Sequence, residues 1–415
     1  MSSPAPLHRR SPVVGRDPDE PHRVANTLEL LYDLVFVVAF GVAGSNVAHQ
    51  LAERHFTGAL VGFGVSMFAV IWAWINFAWY ASAYDNDDWQ YRTLTMFQMV
   101  GVAIVALGID PLFESLAAGG VVDNRAMVLG YVVMRVALLG QWLRVARHDR
   151  TGRPAALTYV ATVGIAQVAW VAVAVAELSL GGFLAAAAVL FLVELAGPMI
   201  AERRRPTPWH PHHIAERYGL LVIVTLGEGI VGTITALRAV ITVEGWTVDV
   251  AVIGLAGIAV TWGLWWVYFL LPHGEALSLH RERSFVWGYG HMVLFAALAG
   301  VGAGLHVAAL AVERHSGLGS TATIAATAIP LAIALVSIYA LYGHLVHAFD
   351  PFHLALLAMT GLVVAASLTM AATGVEMAWC LLTLASAPMV SIVGYELHGH
   401  DHLDRALAAD SPHRR

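Results

Sequence analysis

Glu29-Leu-Leu-Tyr-Asp33-Leu-Val-Phe-Val-Val-Ala39 places two carboxylates four residues apart at the mouth of an otherwise apolar helix. At 3.6 residues per turn the two share one face, about one turn apart. A helix of this kind suits lipid only if its charge is turned inward, so the stretch reads as the opening of a membrane span with a polar inner face. A weaker copy follows at Glu216-Arg-Tyr-Gly-Leu-Leu-Val-Ile-Val-Thr-Leu-Gly-Glu228.

The rest of the chain agrees. Of 415 residues 58% are hydrophobic and only 13% charged, with mean hydropathy +0.68, which leaves too little polar surface to solvate a globular protein of this size. Apolar runs near the roughly 20 residues that cross a bilayer as helix recur along it. They fall at 28–51, 57–81, 94–116, 126–145, 155–177, 182–201, 214–237, 248–271, 285–312, 322–345, 351–373 and 376–397. The expected fold is therefore all-α, a polytopic bundle of about 12 transmembrane helices.

All 23 basic residues are arginine. With an even number of spans and the N-terminus inside, Arg9, Arg10, Arg16, Arg23, Arg92, Arg144, Arg147, Arg150, Arg153, Arg203 to Arg205, Arg281, Arg283, Arg405, Arg414 and Arg415 are cytoplasmic. Only Arg54, Arg125, Arg238 and Arg314 fall outside. The positive-inside rule thus predicts a multi-pass protein of the bacterial inner membrane with both termini cytoplasmic. Residues 1–27, rich in Pro and Arg, read as a disordered cytoplasmic tail, and 398–415 as a second tail containing His and Arg. The single cysteine, Cys380, excludes an intramolecular disulfide.

Glu29 and Glu216 lie 187 positions apart, and Trp79 and Trp266 keep the same offset. Gln98-Met-Val100 resembles His291-Met-Val293, and Gly197-Pro-Met199 echoes Ala387-Pro-Met389. The pattern predicts two parallel six-helix repeats, 28–205 and 206–397.

Charge inside the spans marks the candidate functional residues. Glu29 and Asp33 either share a proton or, for Glu29, simply favour the positive end of their helix. Arg135 and Glu228, each near the middle of a span, need partners or water and are placed to pair with each other, as a structural ion pair or as part of a proton or ion relay. Glu194, ahead of Gly197 and Pro198, belongs to the same set, as do Glu216 and Arg217. Asp87, Asp88 and Arg92 form a cytoplasmic clamp, Asp88 and Arg92 having helical i, i+4 spacing. Its aromatic neighbours Trp79, Tyr80 and Trp89 also suit the membrane interface.

The 20 histidines include bunches at His210/His212/His213, His344/His347 and His398/His400/His402, none with a spacing that fixes a metal geometry. No metal site is expected. His291 and His306 share the ninth span; His306 reads as a hydrogen-bonded core residue and His291 as a proton-handling one, and a haem would need further ligands on facing helices.

At these residues the sequence resembles the bacterial low temperature requirement A proteins. Glu29-Leu-Leu-Tyr-Asp33 is similar to that family's opening signature. Trp79-Tyr80 with Asp87-Asp88, Tyr91-Arg92 and Gln98-Met99 is similar to a second block, Glu216-Arg217 with Leu226-Gly227-Glu228 to a third, and His291 to a fourth. The resemblance implies a membrane topology and a link to growth in the cold, without a settled reaction. Gly229 stands where the pattern leads one to expect serine, and Ala83 where a polar residue is expected.

No nucleotide-binding loop, dinucleotide turn, zincin helix or nucleophile elbow occurs, so no cofactor is expected. The leading expectation is a proton-linked secondary transporter of a small solute or ion, with Glu29, Asp33, Arg135, Glu194, Glu216, Arg217, Glu228 and His291 on its pathway. The alternatives are an intramembrane enzyme using carboxylate acid-base chemistry on a lipid or isoprenoid, and a non-catalytic membrane scaffold. The bilayer is the expected partner, self-association is compatible with the sequence, and nucleic acid is not expected.

Overall fold

Along α1 (Thr27–Ala52) the side chains sort by face: Glu29, Tyr32, Asp33, Phe36 and Phe40 are buried, whereas Leu30, Leu31, Leu34 and Val38 are exposed. Apolar residues face outward and acidic ones inward, the reverse of a helix on a water-soluble protein, and the arrangement lipid requires. In this computed structural model, which describes residues 11–21, 23–346 and 351–399, the described chain is helical apart from turns and one isolated bridge between Val121 and Ser179.

The helices that follow are α2 (Phe56–Tyr84), α3 (Trp89–Ala118), α4 (Arg125–His148), α5 (Arg153–Val175), α6 (Leu180–Arg204), α7 (Pro211–Glu244) and α8 (Val248–Phe269). A short α9 (His273–Leu279) and a 3-10 turn (Arg281–Arg283) lead into α10 (Ser284–Val312), α11 (Ser320–Val346), α12 (Pro351–Ala372) and α13 (Met377–Gly394). A π-turn, Tyr395–Gly399, ends the described chain. Among the described residues twelve helical stretches are long and apolar enough to cross a membrane, in the order the sequence implies.

Several ends lie beyond the apolar runs for identifiable reasons. α3 begins at Trp89 because the Asp88 carboxylate caps it, accepting from Tyr91 N–H at 2.8 Å. α7 begins at Pro211, whose missing N–H costs nothing in a first turn. The last carbonyls of α11, at His344 and Leu345, accept from the Arg283 guanidinium at 2.7 and 2.6 Å.

Two compact units divide the chain, Met1–Ala43 with Phe68–Arg217 and Gly44–Met67 with Tyr218–Arg415. Neither is continuous, so the division differs from the expected boundary between 205 and 206: α1, α2 and α7 each contribute residues to both. Within the first unit α3 and α4 meet through glycine, a Cβ on Gly101 standing only 2.7 Å from the Gly130 carbonyl oxygen. Within the second, α10 meets α7 in the same way, since a Cβ on Gly302 would come within 2.5 Å of the Glu228 backbone.

Residues 11–21 and 23–26 correct the expectation of a disordered tail; residues 1–10 and His22 lie outside the described set. Arg16 N–H donates to the Ala83 carbonyl at 2.9 Å, Ser11 N–H to Asp88 at 3.2 Å and Ala25 N–H to Glu216 at 3.3 Å. Val13 is fully buried. The segment is a strap over one end of the first unit, held by backbone donors and guanidinium groups that hydropathy does not register. His347 and residues 400–415, with the histidines and arginines expected in the second tail, lie outside the described residues.

Candidate functional site

Four buried ionisable residues meet at the strap end of the first unit. Arg217, fully buried on α7, points Nη2 at Asp33 Oδ1 (2.5 Å) and Nη1 at Glu29 Oε1 (3.0 Å). His213, one turn earlier, stands 3.3 Å from Glu29, and Trp74 Nε1 donates to Asp33 Oδ1 at 2.7 Å. Glu29 also forms a capping box with Asn26: Glu29 N–H donates to Asn26 Oδ1 at 2.9 Å, and Asn26 N–H to Glu29 Oε2 at 2.8 Å. Glu29 therefore both caps its helix and serves as a counter-ion. The proton shared between Glu29 and Asp33 that the sequence suggested gives way to a cation set against both.

Glu216, half-buried, turns to the strap, where it accepts from Ala25. In the clamp the partners differ from those expected from spacing. Arg92 forms two 2.8 Å hydrogen bonds with Asp87, while Asp88 takes Arg144 Nη2 at 2.5 Å together with its capping bond. The loop carboxylate Asp85 faces Arg23 at 3.5 Å and Asn26 Nδ2 at 2.8 Å. Burial, helped by the Glu29 charge and opposed by Arg23, pushes the Asp85 carboxyl up to about 6. Asp88 differs: burial raises its carboxyl, but the Tyr91 N–H and Arg144 outweigh that and hold it below its usual range.

Arg135 corrects the expectation of a pair with Glu228. Its Nη2 lies 2.5 Å from the Tyr131 hydroxyl and 3.5 Å from Glu194, with the guanidinium over the Tyr131 ring. Glu194 also accepts from Trp72 Nε1 (2.9 Å), Tyr131 (3.1 Å) and Gln167 (3.2 Å). Glu194 thus gathers four side chains, Trp72, Tyr131, Arg135 and Gln167.

The second unit holds the other two candidates. Glu228 is 8% exposed on α7, and among the described residues no ion pair or side-chain hydrogen bond to it occurs. A Cβ added to Gly44 would stand 3.8 Å from its Oε2. His291, fully buried on α10, hydrogen-bonds through Nδ1 to the Trp287 carbonyl at 2.8 Å and through Nε2 to the Tyr268 hydroxyl at 3.1 Å. A carbonyl can only accept, so Nδ1 carries the hydrogen and a neutral ring takes the tyrosine proton at Nε2. His306 is half-buried and meets His49 edge-on at 5.2 Å.

The sequence profile of the bacterial low temperature requirement A protein, LtrA, matches residues 24–388. The chain belongs to that family. An uncharacterised protein of Rhizobium meliloti (strain 1021) is 24% identical over 285 residues, which make up 64% of this chain and 64% of the relative. No solved structure gives a significant match.

The LtrA match takes in every candidate residue from Glu29 to His291. The departure at Gly229 has a local cause, since a Cβ there would lie 2.6 Å from the Thr261 hydroxyl. Residues that sequence reasoning missed are the partners: Trp72, Trp74, Tyr131, Arg144, Gln167 and His213. Only two carried a legible signal, Tyr131 by its i, i+4 spacing to Arg135 and Arg144 by its place near the C-terminal end of an apolar helix.

Proposed function

We propose that this LtrA protein is a proton-linked secondary transporter of a small solute or ion in the bacterial inner membrane, with both termini cytoplasmic, two duplicated halves and a part in adaptation to cold. The observation that carries the reading is Glu228. A buried carboxylate with no cation beside it is the group whose charge can change at least cost, whereas Glu29, Asp33 and Glu194 are fixed by arginine. With no counter-ion to fix its charge, a change in the access of water to Glu228 would take up or release a proton. His291, satisfied as a neutral ring by the Trp287 carbonyl and the Tyr268 hydroxyl, is not the proton carrier. The intramembrane-enzyme reading, which would use Glu29, Asp33 and Glu228 as its acid-base groups, has less support, because two of the three, Glu29 and Asp33, are engaged by Arg217, His213 and Trp74.

The test uses proteoliposomes loaded with a pH-sensitive dye and given a pH step in the presence of carboxylate, phosphate, potassium, choline or polyol solutions. One class should accelerate proton movement over protein-free vesicles, Glu228→Gln should abolish the effect, and Glu228→Asp should keep part of it. Equal rates for wild type and Glu228→Gln, with both folded, would remove Glu228 from the mechanism. No acceleration by any class would favour a scaffold.

A further inference from the structure

Beneath the strap, the first unit gathers buried hydrogen-bond donors that have no acceptor. The hydroxyls of Tyr80 and Tyr91, both fully buried, make no hydrogen bond, and neither do Nε and Nη1 of Arg144 or Nε of Arg217. These groups are neighbours. The Tyr80 and Tyr91 rings stack 6.4 Å apart, and Trp142 meets Tyr80 edge-on at 5.0 Å. Arg144 pairs with Asp88, the same carboxylate that accepts from the Tyr91 N–H, and Arg217 pairs with Asp33 and Glu29. Tyr80 and Arg144 lie near the C-terminal ends of α2 and α4, and Tyr91 and Arg217 near the N-terminal ends of α3 and α7.

A buried donor left without an acceptor is costly, more so when charged, so such a group persists where something supplies acceptors. The nearby carboxylates are already engaged: Asp88 by Arg144 Nη2, Tyr91 N–H and Ser11 N–H, Glu29 by Arg217 and Asn26, Asp85 by Arg23 and Asn26. Four acceptor oxygens here also lack a hydrogen bond, Glu29 Oε1, Asp33 Oδ2, Asn86 Oδ1 and Gln90 Oε1, the first of them in ion-pair contact with Arg217; they are fewer than the hydrogens these donors carry. Donors remain in excess, and a ligand that meets them must be rich in acceptors and suited to guanidinium.

We propose that Tyr80, Tyr91, Arg144 and Arg217 form a binding site for a small oxyanion, a carboxylate or a phosphate. Phenol hydroxyls and guanidinium N–H groups all donate to its oxygens, and the aromatic walls of Tyr80, Tyr91 and Trp142 exclude the water that would compete. As the substrate end of a carrier the site rests on the transport reading above; as a binding site it does not, and binding is measured without any gradient.

The experiment titrates purified full-length protein, in neutral detergent at fixed ionic strength, with sodium acetate or sodium phosphate against sodium chloride, following the thermal midpoint and calorimetric heat. Nanodiscs with and without an anionic phospholipid form a separate arm. Acetate or phosphate should raise the midpoint saturably where chloride does not; a rise confined to anionic-lipid nanodiscs would assign the same site to a lipid phosphate. The Tyr80→Phe/Tyr91→Phe double variant keeps the rings and removes the hydroxyls. It should be at least as stable as wild type without ligand and lose the anion effect, as should Arg144→Gln if it folds. No saturable effect in either arm, or one equally large in the double variant, would overturn the proposal. Loss of proton flux in Glu228→Gln with anion binding intact would leave both readings standing, whereas anion binding with no proton-linked flux would sink only the transport reading.

Discussion

In the unit that holds Asp33, the deeply buried arginines each face a carboxylate: Arg217 has Asp33 and Glu29, Arg135 has Glu194 and Arg144 has Asp88. In the unit that holds Glu228, that carboxylate has no cation among the described residues, and the buried His291 is satisfied by a tyrosine and a carbonyl. The contrast separates two uses of charge in an apolar interior. A paired charge fixes helices to one another and resists any change of protonation, because either partner alone would be stranded. An unpaired carboxylate contributes little to architecture and is free to change state.

The largest effect that can break this comparison comes from removing the shared cation. Arg217→Met leaves Glu29 and Asp33 facing each other with only His213, Trp74, Arg23 and Asn26 around them, and losing one member of a buried pair costs about 3–5 kcal/mol. The variant should show a steep fall in folded yield and in thermal midpoint in detergent, partly restored when Asp33→Asn is added. Glu228→Gln, by contrast, should leave the midpoint unchanged or raise it. Equal losses from the two substitutions would mean that Glu228 is a structural partner after all.

A smaller effect lies in the loop between α2 and α3, where two carboxylates three residues apart respond to pH in opposite senses. Asp85 is surrounded by Arg16 and Arg23 of the strap, Asn26, Glu29 of α1 and the Asp87 N–H. Its folded pKa of about 6 lies above the ordinary 3.8, so the folded state holds the proton more tightly. Its contribution to stability is thus greatest at low pH and declines as pH rises from about 4 to about 6, by about 3 kcal/mol at most. Asp88, held below its ordinary range, contributes above that range and loses its share as pH falls through it. Thermal midpoints between pH 4 and 7.5 should show the Asp85 decline, and Asp85→Asn should remove it while Arg23 and Asn26 keep an acceptor. A decline that survives in Asp85→Asn would have to arise elsewhere.

These two effects also mark how far the sequence could be read. Hydropathy gave the number of spans, and the helical period put Glu29 and Asp33 on one face, because both signals are local. The partner of Asp33 is not local: Arg217 lies 184 positions away. Arg135 shows the limit most clearly. Depth along a span sets the height of a charge in the membrane but not the direction it faces, so Glu228 and Glu194 were both admissible partners, and helix packing chose Glu194. The strap was hidden for another reason: its anchors are backbone N–H groups and arginines, in a stretch whose composition matches that of a disordered tail. Asp88 and Arg92 have the right spacing, yet a capping bond and Arg144 claim Asp88 first.

The smallest effect sharpens the comparison from within the second unit. Tyr268 donates to His291 Nε2 at 3.1 Å, and Tyr218, Trp287 and Phe295 pack around the same ring. Tyr268→Phe keeps that packing and leaves a buried imidazole nitrogen without a donor, at a cost of about 1–3 kcal/mol. If His291 is a neutral positioning residue, the thermal midpoint should fall by that modest amount at every pH from 5 to 8, since no charge is exposed or lost. If instead the ring takes up protons during a transport cycle, the phenol is a partner in that exchange, and the variant's deficit would grow or shrink across the histidine range. A pH-independent loss therefore leaves Glu228 as the group in this unit whose charge changes, and a pH-dependent one would assign His291 a share.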